Sequence, residues 1–213
     1  MKYARMYIDA LTDVMAAVVG SSAVLVIGLW AIGLIVPISV GQYSIAQQDV
    51  PAHKHFTLHN YISSEDAAVL LAHDPEVLFV DVRDSVEIAQ AGRPEPIDAI
   101  VPVRVQTDAF DAALQEYVLA DNPDFLETMA RVIAAHGKTR DDLIIVTCGS
   151  GYRSAVAAEK LVEAGYTNVW HIPDGYPGDE KPGLNSHNAW QIAGLAWTDV
   201  PFPGGAWQKM ITY

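Results

Sequence analysis

Three short runs dense in branched apolar residues constrain this chain more than any other feature: VLFVDVR (Val77–Arg83), DLIIVTC (Asp142–Cys148) and NVWHIPDG (Asn168–Gly175). Each has the length and apolar continuity of a strand covered on both faces. DAIVPVRV (Asp98–Val105) reads as one more strand. Helical patterns separate these runs. SSEDAAVLLAH (Ser63–His73) opens on a serine cap followed by acids. DSVEIAQAG is a short helix, and SAVAAEKLVEAG is a helix ended by Gly165. NPDFLETMARVIAAHG is amphipathic, with Asn122 as its cap, Pro123 in the first turn and Gly137 at its end. Strands separated by helices predict an α/β fold, a parallel sheet with helices on both faces.

Ahead of this pattern, no charged residue occurs from Val14 to Gln48. The centre of that stretch, residues 16–40, exceeds the roughly 20 apolar residues that cross a bilayer as a helix. A signal peptide has a shorter apolar region, about 7–15 residues, so an uncleaved anchor is the preferred reading, although SIA (Ser44–Ala46) weakly resembles a cleavage site. Lys2 and Arg5 precede the span, and the next basic residue is Lys54. The expected topology is a single pass through a bacterial inner membrane, N-terminus cytoplasmic and soluble domain periplasmic. Residues 1–41 are therefore assigned to the N-terminal segment and transmembrane helix, 42–57 to a polar linker, 58–198 to the folded domain and 199–213 to a tail. His53, His55 and His59 read as solvated linker residues, since no thiol or carboxylate joins them at ligand spacing.

The formal net charge is −13, and Lys2, Arg5, Asp9 and Asp13 cancel one another ahead of the span. The whole excess sits on the exported part, which argues against nucleic acid or anionic lipid as a partner. The chain has one cysteine, so it forms no internal disulfide.

That cysteine, Cys148, ends an apolar strand and is followed by Gly149, Ser150, Gly151, Tyr152 and Arg153 at the start of a helix. In parallel sheets ligands bind beyond the carboxyl ends of the strands. The glycines let the backbone turn its N–H groups inward, and the helix N-terminus adds partial positive charge. Arg153 adds more, or braces the loop against a carboxylate. Each influence favours a nucleophilic thiolate in a cradle of donors.

CGSGYRS resembles the active-site loop of the rhodanese-like sulfurtransferases, C-x-x-G-x-R followed by Ser or Thr. LFVDVRDSVEIAQAG resembles that family's first signature, and AEKLVEAGYTNVWHIPDGYPGDE the segment after the loop. NAWQIAGLAWT resembles the ending of exported single-domain members. The resemblance implies a five-stranded parallel sheet with helices on both faces and a persulfide carried on Cys148. The backbone of Gly149 through Arg153 would cradle the transferred sulfur. Arg83 and Glu87 match positions that support the loop or shape its entrance, with Asp81 ending the first strand and Asp174 closing a turn near the loop. Phosphatases of this fold use a loop one residue longer, so the shorter one here favours sulfur transfer.

Under that reading a sulfane-sulfur donor loads Cys148, and an external thiol or cyanide takes the sulfur away. No second cysteine is present to resolve the persulfide, and neither a metal nor an organic cofactor is required. There are departures from the family pattern. Gly149 stands where many members have Arg or Lys, Arg93 is a candidate substitute charge, and Ala196 replaces the usual proline. A second reading stays open, a weakly active or inactive accessory subunit of a larger membrane complex. Its span would pack through Gly20, Ser21, Ser22, Gly28 and Gly33. Trp170, Trp190 and Trp197 read as core or lid packing, His171 as a hydrogen-bonded structural histidine, and His187 as a lesser candidate for the mouth of the site. The tail, with Trp207, wraps the domain or docks on a partner.

Overall fold

The computed structural model describes residues 40–113, 115–178 and 189–200. They belong to one compact unit, Ser39–Tyr213; the other unit, Met1–Ile38, lies outside the described residues. The expected membrane span therefore falls outside them except at Val40, which opens a short 3-10 turn, Val40–Tyr43. Among the described residues no helix is long and apolar enough to cross a membrane.

Four α-helices are described: α1 (Ser64–His73), α2 (Ser85–Ala91), α3 (Phe125–Ala135) and α4 (Tyr152–Glu163). The strands are β1 (Leu78–Asp81), β2 (Arg93–Pro94), β3 (Ala99–Ile100), β4 (Arg104–Asp111), β5 (Glu116–Asp121), β6 (Ile144–Thr147), β7 (Val169–His171) and β8 (Trp197–Thr198). The central sheet has the order β3-β1-β6-β7. Every pairing in it is parallel. The sheet thus has four strands where five were expected. The outer place beside β7 is taken by a single parallel bridge, Tyr61 to His171. Its hydrogen bonds run from Ile62 N–H to His171 O and from His171 N–H to Asn60 O.

Side chains along a strand alternate between faces, and β1 and β6 are buried on both. Leu78, Val80, Ile144 and Val146 join a core with Phe125, Met129 and Ile133 of α3 and Ala157, Ala158 and Leu161 of α4. Phe79, Ile145, Trp170 and Ile172 join a second core with Ala67, Leu70 and Leu71 of α1. Trp190 belongs to this second core and stacks, tilted, on Phe79 at 5.4 Å. Trp170 and Trp190 are therefore packing residues, as expected, while Trp197 stays half exposed on β8.

Ser63 caps α1 by accepting from the Asp66 N–H at 3.0 Å. For α3 the cap is Asp124 rather than Asn122. Asn122 instead accepts from the Asp124 N–H and donates to Pro102 O, tying the entrance of α3 to the β3 loop. DAIVPVRV is not one strand. β3 covers Ala99–Ile100, where its register with β1 ends, although the Val101 and Val103 N–H groups still donate to Asp81 O and Val82 O on either side of Pro102. The chain then enters an antiparallel hairpin, β4–β5, whose Phe110 and Tyr117 pack edge to face at 5.3 Å and are half exposed.

Residues 42–57, expected as a linker, form a strap laid on the domain. Val50 and Phe56 enter the first core, and Lys54 is 5% exposed with its Nζ donating to Pro173 O at 3.0 Å. His53 and His59 are exposed, while His55 is half-buried, with Nε2 2.8 Å from Val50 O. Among the described residues no group of three His, Cys, Asp or Glu side chains is arranged to hold a metal.

Candidate active site

β6 delivers Cys148 to the carboxyl edge of the sheet, where the thiol is 1% exposed. The chain then turns through Gly149, Ser150 and Gly151 into α4, so the sulfur sits at the helix N-terminus. The Gly151 N–H donates to Cys148 Sγ at 3.1 Å. Gly151 has φ +91°, and a Cβ there would stand 2.0 Å from Pro173 O, so only glycine fits. The segment after β7 backs the loop. The Tyr176 N–H donates to Cys148 O at 2.8 Å, and the Gly178 N–H to Gly149 O at 3.0 Å.

Two charged residues named from the sequence, Glu87 and Arg153, meet at this loop. Arg153 makes a two-pronged contact with Glu87, Nη1 to Oε2 at 2.7 Å and Nη2 to Oε1 at 2.8 Å. Burial alone would lower the Arg153 guanidinium, but Glu87, with Cys148 and Asp81, outweighs burial and raises it. Arg153 therefore braces the loop against a carboxylate while its charge also acts on Cys148. The same pair accounts for Gly149. A Cβ there would meet Glu87 Oε1 at 3.0 Å and Arg153 Nη2 at 3.1 Å, so a longer residue competes with the ion pair for space.

Arg83 is fully buried, with Nε 3.0 Å from both Asp81 oxygens, Nη2 2.6 Å from Asp81 Oδ2 and 2.9 Å from Gly92 O. Its guanidinium lies 4.3 Å from the Tyr176 ring centre. Burial opposes its charge, and Asp81 more than restores it, leaving Arg83 raised. Through the Tyr176 ring Arg83 backs the residue whose N–H holds Cys148 O; a fully buried side chain does not shape the entrance. Tyr176 is pushed up to about 12, first by burial.

Tyr152 is exposed on the rim, with the Arg104 guanidinium of β4 5.7 Å from its ring centre. Ser150 is half-buried beside it. Burial raises the Asp174 carboxyl, against Lys54 and the Ser64 N–H, which lower it. The turn after β7 meets the start of α1 where Ser64 Oγ donates to Gly175 O at 3.5 Å. Arg93, expected as a substitute cation at the mouth, is 7% exposed and sits in the β2–β8 ladder. His187 and Trp207 lie outside the described residues.

Two residues at the sulfur were not among those selected from the sequence. Ser154 Oγ lies 3.5 Å from Cys148 Sγ, and His171 Nδ1 lies 3.3 Å from Ser154 Oγ. Both are fully buried. The serine was legible as the last residue of the loop pattern, the histidine only as a polar interruption in a strand.

The family model described as Rhodanese-like domain matches residues 64–181. An uncharacterized protein of Rickettsia prowazekii (strain Madrid E) is 27% identical over 138 residues, 64% of this chain and 94% of its own length. The chloroplastic Thiosulfate sulfurtransferase 16 of Arabidopsis thaliana is 42% identical over 66 residues, 31% of this chain and 51% of its own. A crystal structure of a protein from M. tuberculosis aligns with a TM-score of 0.49 and 24% identity, over 68% of this chain and 100% of that one.

Proposed function

The chain belongs to the rhodanese-like domain family, and we propose that it is a sulfurtransferase that carries sulfane sulfur on Cys148. The observation that supports this most is the sulfur's setting: Sγ at the end of β6, met by the Gly151 N–H at 3.1 Å at the N-terminus of α4.

In the first half-reaction the Cys148 thiolate attacks the outer sulfur of a small sulfane-sulfur donor. A bond forms between Sγ and that sulfur, and the donor's own sulfur bond breaks, its electron pair leaving with the remainder. In the second, an external thiolate or cyanide attacks the outer sulfur of the persulfide. The Sγ–S bond breaks and its electron pair returns to Sγ, which leaves as a thiolate. Loop N–H groups stabilise the negative sulfur in both steps. The two halves are separate, so the kinetics are ping-pong. The acceptor comes from outside, because the sequence holds no second cysteine.

We place this chemistry on the periplasmic side of a bacterial inner membrane, tethered by residues 16–40. The support is the charge-free stretch Val14–Gln48 and the position of Lys2 and Arg5 ahead of it.

Intact mass after exposure to polysulfide or thiosulfate, beside Cys148→Ser, tests the carrier. A gain of one sulfur, about 32 Da, that is absent in the variant and removed by a thiol is the expected result. No gain from either donor, with Cys148 still alkylated by iodoacetamide, overturns it and leaves a docking domain.

A further inference from the structure

We propose that Ser154 is a further catalytic residue of the sulfur site and His171 the residue that positions it, an inference that rests on the sulfur-carrier reading above. The Ser154 hydroxyl has one proton and four acceptors around it. They are Gly151 O at 3.0 Å, His171 Nδ1 at 3.3 Å, Ile172 O at 3.5 Å and Cys148 Sγ at 3.5 Å. When the cysteine is a thiol, its S–H donates to Ser154 Oγ, and the serine proton points to one of the other three. When Sγ carries negative charge, as it does on attacking the donor and again on leaving the persulfide, the serine proton swings to Sγ. A charged acceptor outcompetes neutral ones, since charge-assisted hydrogen bonds are about twice as strong. The swing leaves no donor stranded. Gly151 O keeps the Ala155 N–H at 3.2 Å, and the groups released are acceptors.

His171 decides where the hydroxyl oxygen stands. Its Nε2 lies 3.0 Å from Lys54 O, which only accepts, so Nε2 holds the ring proton and Nδ1 offers a lone pair. The ring is held edge-on by Phe56 at 5.4 Å and Tyr61 at 5.2 Å. Burial pushes the imidazole down to about 3, against the carbonyl contacts at Lys54 and Ile172. Burial keeps the ring neutral at pH 7, so His171 does not take the proton; it aims it. Lys54, Phe56 and Tyr61, which give His171 this support, all precede the matched residues 64–181.

The test uses the full chain and two readouts, the rate of iodoacetamide alkylation of Cys148 at pH 7 and the rate of sulfur loading from polysulfide, with thermal midpoints measured beside them. Ser154→Ala should slow alkylation about tenfold, the size of one hydrogen bond to a charged atom. His171→Asn keeps a polar atom where Nδ1 stood and loses the reach to Lys54 O. His171→Gln keeps that reach and moves polarity away from Ser154. The proposal expects the Gln variant to fall to the Ser154→Ala rate and the Asn variant to stay within threefold of wild type. In the Ser154→Ala background, His171→Gln should add no further loss of rate.

Rates that follow the thermal midpoints instead, or a Ser154→Ala variant as fast as wild type, overturn it. Should one histidine variant fail to fold, the serine variant and the remaining one decide. Alkylation needs no sulfur donor. A wild type that gains no sulfur but shows this pattern of rates refutes the carrier reading while leaving the control of the cysteine by Ser154 and His171 standing.

Discussion

Gly149 and Gly151 stand two residues apart in the cysteine loop, and alanine should be costly at Gly151 and nearly neutral at Gly149. At Gly151 the new Cβ would lie 2.0 Å from Pro173 O and 2.6 Å from Pro173 C, at φ +91°. Neither neighbour is a flexible side-chain end; both are backbone of the segment that holds the loop through the Tyr176 and Gly178 N–H groups. A left-handed conformation costs an L-residue roughly 1–2 kcal/mol. Forcing the backbone apart adds about 1–3 kcal/mol. A total near 3 kcal/mol corresponds to a fall in Tm of roughly 6–12 °C for a chain of this size. At Gly149 the obstacles are the ends of Glu87 and Arg153, at 3.0 and 3.1 Å, which can give way. The strain on this partly buried ion pair, 17% and 32% exposed, is relieved by movement of the two side-chain ends and offset by the smaller unfolded-state entropy of alanine, so the net change is within about 1 kcal/mol. Thermal unfolding of both variants, followed by circular dichroism, is the assay. Equal shifts, or a Gly151→Ala variant within 2 °C of wild type, would refute the argument that backbone contact makes Gly151 glycine.

Four further outcomes are expected. Asp81→Asn strands the buried Arg83 charge, whose partner oxygen is 2.6 Å away with both side chains fully buried, and should cost about 3–5 kcal/mol in urea unfolding. Adding Arg83→Met should recover part of that loss. Glu87→Gln removes the negative member of the Arg153 pair at the loop, so KM for an anionic sulfur donor should fall severalfold in steady-state kinetics, while a neutral donor is unaffected. His171 has its folded value depressed to about 3 from 6.5, so the unfolded chain binds the proton first as pH falls. Its contribution is complete above pH 6.5 and lost toward pH 3, about 2 kcal/mol of it between pH 7 and pH 5. Urea unfolding at those two pH values should show His171→Asn losing about that much less than wild type. Last, the full chain should stay in the membrane pellet after carbonate extraction and be released when residues 1–41 are deleted.

What could be read from the sequence and what could not divides along the range of the interactions. The β1, β6 and β7 runs, the cap of α1, and the cysteine loop each carry their signal within about ten residues. The order of that signal along the chain already implied a parallel sheet with the thiol at its carboxyl edge. The β4–β5 hairpin was missed because its ladder is irregular between Gln106 and Phe110, and because Asp98–Val105 is one apolar-rich run that the fold divides between β3 and the start of β4. The strap was missed for a different reason. Residues 42–57 are polar and locally unpatterned, and what holds them is distant: Lys54 to Pro173, Thr57 to Glu159, and Phe56 against His171. His171 shows the same limit at the site itself. On β7 it is one polar side chain among apolar neighbours, and a structural role was the natural reading. Its significance depends on a serine 17 residues earlier and a carbonyl 117 residues earlier. The cysteine could be found from its own loop. The chain of hydrogen bonds behind it is made by three segments that meet only in the fold, so the groups that tune the sulfur were the least visible part of a site whose nucleophile was the most visible.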